Sequence, residues 1–154
     1  RSGIPHEVHA YEAPERHGNA RMDRPAYGIE AAAALGIDPR SICKTLVVDA
    51  DGELMVAIVP VDAELDLRRF AEEVGARRAS LAEPRVAERA TGYVIGGISP
   101  LGTTRRLRTV VDAAVVELER VHVSAGRRGL QVELSPTDLV TVTGATVADI
   151  TRTD

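Results

Sequence analysis

The sequence predicts a mixed α/β domain of α+β character, and three observations carry that reading. Short β-rich runs recur along the chain, two pairs of them flank turn signals at Asp51-Gly52 and at Gly126 to Gly129, and short helical segments with cap signals lie between them. A length of 154 residues suits one domain, residues 1–154, with a genuine core. Aromatic residues make up only 3% and Trp is absent, so that core must be built from Val, Leu, Ile and Ala. The same scarcity argues against an aromatic platform for stacking single-stranded bases.

In chain order, Gly3 and Pro5 read as the stop of a helix lying before Arg1. Glu7 to Glu12 alternates Val8 and Ala10 against His9 and Tyr11 and reads as a strand. Arg21 to Leu35 is Ala-rich, carries an apolar stripe through Ile29, Ala32 and Ala33, and is expected to be a helix ended by Gly36. After the Asp38-Pro39 turn, ICKTLVVDADGELMVAIVPVD gives two strands of a hairpin around Asp51-Gly52.

Asp66 to Val74 is expected to be a helix closed by Gly75, and Glu83-Pro84 opens another that Gly92 closes. Leu107 to Val111 reads as a strand, whereas Ala113 to Leu118 fits a short helix or a strand equally well. Arg120 to Ser124 and Leu130 to Leu134 form a second hairpin. Ser135, Pro136 and Asp138 supply the cap of a helix from Pro136 to Thr143, and Thr146 to Ile150 is a last strand. There is no internal repeat, and the strands are expected to join mostly by hairpins.

Charge and cysteine usage narrow the function. A formal charge of -4 argues against a protein that coats nucleic acid without specificity. Arg105, Arg106, Arg108, Arg127 and Arg128 nevertheless cluster near two turns, either as one cationic face or as solvated turn residues. A lone cysteine, Cys43, rules out an internal disulfide and fits a reducing cytosol. No apolar run reaches the length of a membrane span, and no signal peptide is visible.

The stretch GYVIGGISPLG, from Gly92 to Gly102, is the first candidate for chemistry. Gly96 and Gly97 allow the backbone to approach a ligand and Pro100 fixes the turn, so exposed amides there would suit a phosphate or an oxyanion; an ordinary strand-to-loop turn has the same pattern. Lys44 shares a strand face with Leu46 and Val48, where a lysine either snorkels outward or meets a partner. Cys43 points to the opposite face and reads as a buried structural thiol. Ser99 has no identifiable base, which disfavours a triad hydrolase. His6, His9, His17 and His122 are scattered, the first two lack a matching carboxylate or Cys spacing for zinc, and no metal site is expected.

KTLVV from Lys44, LDLRRFAEEVGAR from Leu65, TGYVIGGISPLG from Thr91, the strand through Val110-Val111-Asp112, VSAGRRGL from Val123 and ADI from Ala148 follow one another over nearly the whole chain. Together they resemble the YbaK family of cysteinyl-tRNA(Pro) deacylases. Its wider superfamily includes the editing domain inserted in bacterial prolyl-tRNA synthetases and free-standing deacylases for alanyl-tRNA(Pro). The resemblance implies a single domain with a mixed, partly barrel-like sheet flanked by helices, a cytoplasmic location and no cofactor. It places the family's essential lysine on Lys44 and its catalytic loop backbone on Gly96 and Gly97. Ser99 and Pro100 complete the loop, and Tyr11 and Ser124 fall beside the pocket. Gln131 is a departure, because the family often has Asp after Arg-Gly-Leu.

The implied substrate is an aminoacyl-tRNA, with the five arginines on its phosphates and prolyl-tRNA synthetase as partner. The implied chemistry is attack by the substrate's own thiol on its ester, releasing a thiolactone. A deacylase for alanyl- or seryl-tRNA using a positioned water, and a non-catalytic tRNA- or synthetase-binding module, are the rival readings.

Overall fold

A computed structural model describes residues 3–11, 32–95 and 97–152. Eight strands and three helices are present there: β1 (Glu7–Ala10), β2 (Cys43–Ala50), β3 (Glu53–Pro60), α1 (Leu67–Val74), β4 (Ala79–Leu81), α2 (Pro84–Thr91), β5 (Arg108–Asp112), β6 (Val121–Ser124), β7 (Leu130–Leu134), α3 (Pro136–Thr143) and β8 (Thr146–Ala148). The expected helix from Arg21 lies outside the described residues except for 32–35, which are helical. Glu12 and Gly96 also lie outside them. The ambiguous segment near Val115 is a 3-10 turn, Val115–Glu117.

Local chemistry explains the boundaries. Asp51 and Gly52 take φ of 52° and 90°, the left-handed pair that a two-residue hairpin needs to match strand twist. Asp66 caps α1 by accepting from the Arg68 and Arg69 amides, and Ser135 caps α3 by accepting from the Asp138 amide at 3.1 Å. Pro84 and Pro136 occupy first helical turns, where no donor is lost.

The strands form a mixed sheet of order β4-β2-β3-β5-β8 and an antiparallel sheet of order β1-β7-β6. Hairpins join β2 to β3 and β6 to β7 as expected, but β3–β5 and β5–β8 are parallel pairs. Helical crossovers make those two joins: α1 and α2 lie between β3 and β5, and α3 lies between β5 and β8. β4, which the sequence analysis does not include, is an edge strand held by Asp51, whose carboxylate accepts from the Arg77 and Arg78 amides.

The period-2 pattern of β2 and β3 divides the core. Val48, Met55, Ala57 and Val59 pack with Phe70 of α1, Val110 and Ile150 on one face. Cys43, Val56 and Ile58 pack on the other with Val111, Leu139 and the inner side chains of the small sheet, Val121, Val123 and Leu134. The two sheets meet where Ile42 bridges His122 in parallel, so the small sheet curls away from the start of β2. The described strands close no barrel; the junction between sheets is a seam, and the candidate site lies along it.

Candidate active site

β2 is incompletely paired on its outer side. β4 covers only Val48 to Ala50, the Ala82 amide reaches the Val47 carbonyl at 2.9 Å, and among the described residues the backbone bridge to the small sheet is at Ile42, just before β2 begins. A cavity of about 590 Å³ fills the resulting gap, a volume suited to a small-molecule-sized group. Ile42, Leu46, Leu65, Leu81, Ile95 and Ile98 make much of its wall apolar, and Tyr11, Lys44, Ser124 and Gln131 bring polar groups to it.

Lys44 therefore stands beside a mostly apolar hollow rather than in the core. Among the described residues no carboxylate lies within ion-pair distance of its ammonium. Burial pushes its pKa below the ordinary lysine value, and the more distant negative charges of Glu64 and Asp62 only partly oppose that. Cys43, one residue away on the opposite face, is 4% exposed, and burial pushes its thiol up to about 12. It is a protonated core residue at neutral pH, as the alternation of faces indicates.

The small sheet brings two further groups to the cavity. In its register Gln131 lies opposite both His9 and Ser124, so the three share a face. The Ser124 hydroxyl and the Gln131 carbonyl oxygen are buried without a hydrogen-bond partner among the described residues. Each such group costs about 1–3 kcal/mol unless something binds it. Both are thus ready to take up a polar ligand beside Lys44.

The glycine loop contributes differently from the expectation. The Gly97 amide already donates to the Val94 carbonyl at 2.9 Å, so this N–H is not open to a ligand. What requires glycine is proximity: a Cβ on Gly97 would stand 2.6 Å from the Arg127 Cα, because the β6–β7 turn lies directly on the loop. Tyr93 locks the same contact, since its hydroxyl donates to the Leu101 carbonyl and its ring lies against Gly126. Ser99 is buried and its hydroxyl accepts from the Leu101 amide at 3.1 Å, shaping the turn with Pro100. The loop meets the cavity through Ile95 and Ile98.

None of the five arginines lines the cavity. Arg105 and Arg106 are exposed in the segment after the loop, with the Arg106 guanidinium beside Gly144, and Arg108 donates to the Val74 carbonyl at the end of α1. Arg127 is exposed in the turn that covers Gly97, with Arg128 next to it. The charged residues at the cavity that sequence reasoning missed are Glu64 and Arg152, facing each other at 3.6 Å. They are 88 positions apart and belong to connecting segments, so no local signal pointed to them.

A second polar group lies further along the small sheet. His9, His122 and Glu133 converge there, although their sequence spacing shows no ligand pattern. Arg120 above all, and then His9, hold the Glu133 carboxyl below its ordinary range, while burial lowers the His122 pKa.

Comparison with known proteins decides what kind of domain this is. The family model described as the aminoacyl-tRNA editing domain matches residues 23–142. The chain belongs to this family. It is 32% identical over 149 residues to a protein of Enterococcus faecalis named as a Cys-tRNA(Pro)/Cys-tRNA(Cys) deacylase, EbsC, covering 96% of this chain and 86% of that one. The multifunctional Ser/Thr-tRNA deacylase ProXp-y of Escherichia coli K12 is 27% identical over 78% of this chain and 72% of its own length. A solved structure described as a trans-editing enzyme for prolyl tRNA synthetase superposes with a TM-score of 0.83 at 26% identity, covering 96% of this chain and 87% of the other. The editing-domain family and the mixed α/β fold read from the sequence are both borne out.

Proposed function

We propose that this editing domain removes cysteine mischarged on tRNA(Pro), with the aminoacyl end of the tRNA in the cavity and Lys44 as the residue on which activity depends. The observation that carries this reading is a lysine ammonium with no carboxylate at ion-pair distance among the described residues, beside an apolar hollow, in a member of the editing family. The similarity to the EbsC deacylase supports cysteine as the amino acid.

An aminoacyl ester is already activated, so its cleavage needs orientation and charge stabilisation more than a strong enzyme nucleophile. The cavity fits that need. Among its described lining residues there is no histidine, the one thiol is protonated, and the one carboxylate, Glu64, is largely exposed. The substrate's thiolate attacks its own ester carbonyl; the new C–S bond closes a thiolactone while the C–O bond to the ribose breaks, and the ribose oxygen takes up a proton. Lys44 stabilises the carbonyl oxygen or the adjacent ribose-phosphate. The Ser124 hydroxyl and the Gln131 carbonyl hold the aminoacyl group, with Tyr11 beside them. The loop through Gly97, Ile98, Ser99 and Pro100 shapes the cavity wall, and Arg105, Arg106, Arg108, Arg127 and Arg128 meet tRNA phosphates outside it. Such an enzyme supplies the discrimination that a proline pocket cannot reach by binding alone. Its place is the cytoplasm, and prolyl-tRNA synthetase is the partner that delivers the substrate.

One observation favours a second reading. Glu64 at the cavity rim is a carboxylate able to orient a water, as a seryl- or threonyl-tRNA deacylase would need, and ProXp-y is a relative with that specificity. Deacylation of a panel of purified aminoacyl-tRNAs by the wild type and by Lys44→Ala tests the proposal. Rapid loss of cysteine from tRNA(Pro), abolished in Lys44→Ala, is expected; activity on every ester but the cysteinyl one would refute it.

A further inference from the structure

The face of the small sheet that carries Tyr11, Gln131 and Ser124 to the cavity continues to a group with different chemistry. Glu133 lies opposite both Glu7 and His122 in the register, and His9 opposite Gln131, so alternation puts all of these side chains on one face. The Glu133 Oε1 is 2.8 Å from His9 Nε2 and 3.3 Å from His122 Nε2. These three atoms all lie within 4.8 Å of one another. In a tetrahedral zinc shell neighbouring ligand atoms stand about 3.3 Å apart, so only small rotations separate this arrangement from a coordinated one.

The surroundings are those of a ligand set. Arg120 Nε holds the Glu133 Oε2 at 3.0 Å, which leaves Oε1 aimed at the two rings, as an outer-shell partner of a metal-binding carboxylate does. The imidazoles are tilted by 50° with centroids 5.7 Å apart; they converge through Nε2 instead of stacking. His122 is 5% exposed, and the Glu7 carboxylate, 3.6 Å from His9 Nε2, is next in reach. Two imidazoles and one or two carboxylates, without a thiolate, suit Zn²⁺ among the common divalent ions.

We propose that His9, His122 and Glu133 form a zinc site, with Glu7 or water as the fourth ligand, that clips β1 onto β7 and β6. The site is structural. It fixes the edge strand that carries Tyr11 to the cavity wall and stands apart from the deacylation chemistry.

The test uses the full chain, freed of metal with a chelator and titrated with Zn²⁺ by calorimetry, with Co²⁺ absorption as the readout of geometry. One ion per chain, a higher Tm on binding and a tetrahedral Co²⁺ spectrum without thiolate charge transfer are expected. His9→Ala and Glu133→Gln should each weaken binding at least about tenfold, circular dichroism confirming that each variant is folded. The proposal is overturned if the wild type binds no stoichiometric zinc, if its Co²⁺ spectrum is that of a hexa-aquo-like ion, or if either folded variant binds as the wild type does.

Discussion

Lys44 faces a hollow in which burial disfavours its charge, and no carboxylate within ion-pair distance among the described residues compensates. Its depressed pKa sets the sign of a stability effect. The unfolded chain binds more protons than the folded one between the lowered pKa and the ordinary value near about 10.4, so stability rises with pH across that window. Lys44→Met should abolish deacylation, keep or raise Tm, and flatten that rise; thermal melts across the alkaline range check the last point. Cys43 gives the opposite pattern. With its thiol protonated in the core, Cys43→Ala should keep most activity and lose about 1–2 kcal/mol of stability by denaturant titration. Both residues were legible because a lysine on an apolar strand face and a cysteine on the other follow from alternation alone. The His9, His122 and Glu133 group was not, since β1 lies far in sequence from the β6–β7 hairpin and becomes its neighbour only after pairing.

At the scale of elements, the contact between the glycine loop and the β6–β7 turn shapes the cavity. Gly97 sits against the Arg127 backbone, which cannot move aside as a flexible side chain would. Gly97→Ala should therefore push the turn outward, cost about 1–3 kcal/mol and reduce deacylation more than its loss of stability explains, as melts and single-turnover rates on the same preparation would show. Unchanged activity would mean that the turn's position is unimportant. The sequence exposed this loop through its glycines but suggested open amides, whereas the structure uses Gly97 for close approach and spends its amide on Val94. Helices were readable from Asp66, Gly75, Pro84 and Ser135 because caps act locally. β4 was not, since Ala79–Leu81 is short and its placement depends on Asp51 in a distant turn. The parallel joins escaped for the same reason: periodicity marks a strand but not its neighbour.

Across the whole molecule, a formal charge of -4 opposes association with a polyanion, so local arginines must provide the attraction. If all five engage phosphates, the logarithm of tRNA affinity should fall with the logarithm of salt with a slope of roughly −3.5 to −4.5. Arg127→Glu, on the exposed turn, should make that slope shallower while leaving deacylation at saturating tRNA largely intact; anisotropy titrations at several salt concentrations check it. The central claim, that the substrate supplies the nucleophile and the domain supplies Lys44 and a shaped cavity, is tested most directly by the ratio of single-turnover deacylation rates on Cys-tRNA(Pro) and Ser-tRNA(Pro). A hydroxyl is nearly the size of a thiol but a far weaker nucleophile at neutral pH. The account predicts rapid loss of cysteine and slow loss of serine from the same tRNA; comparable rates would contradict it and point to an enzyme-positioned water.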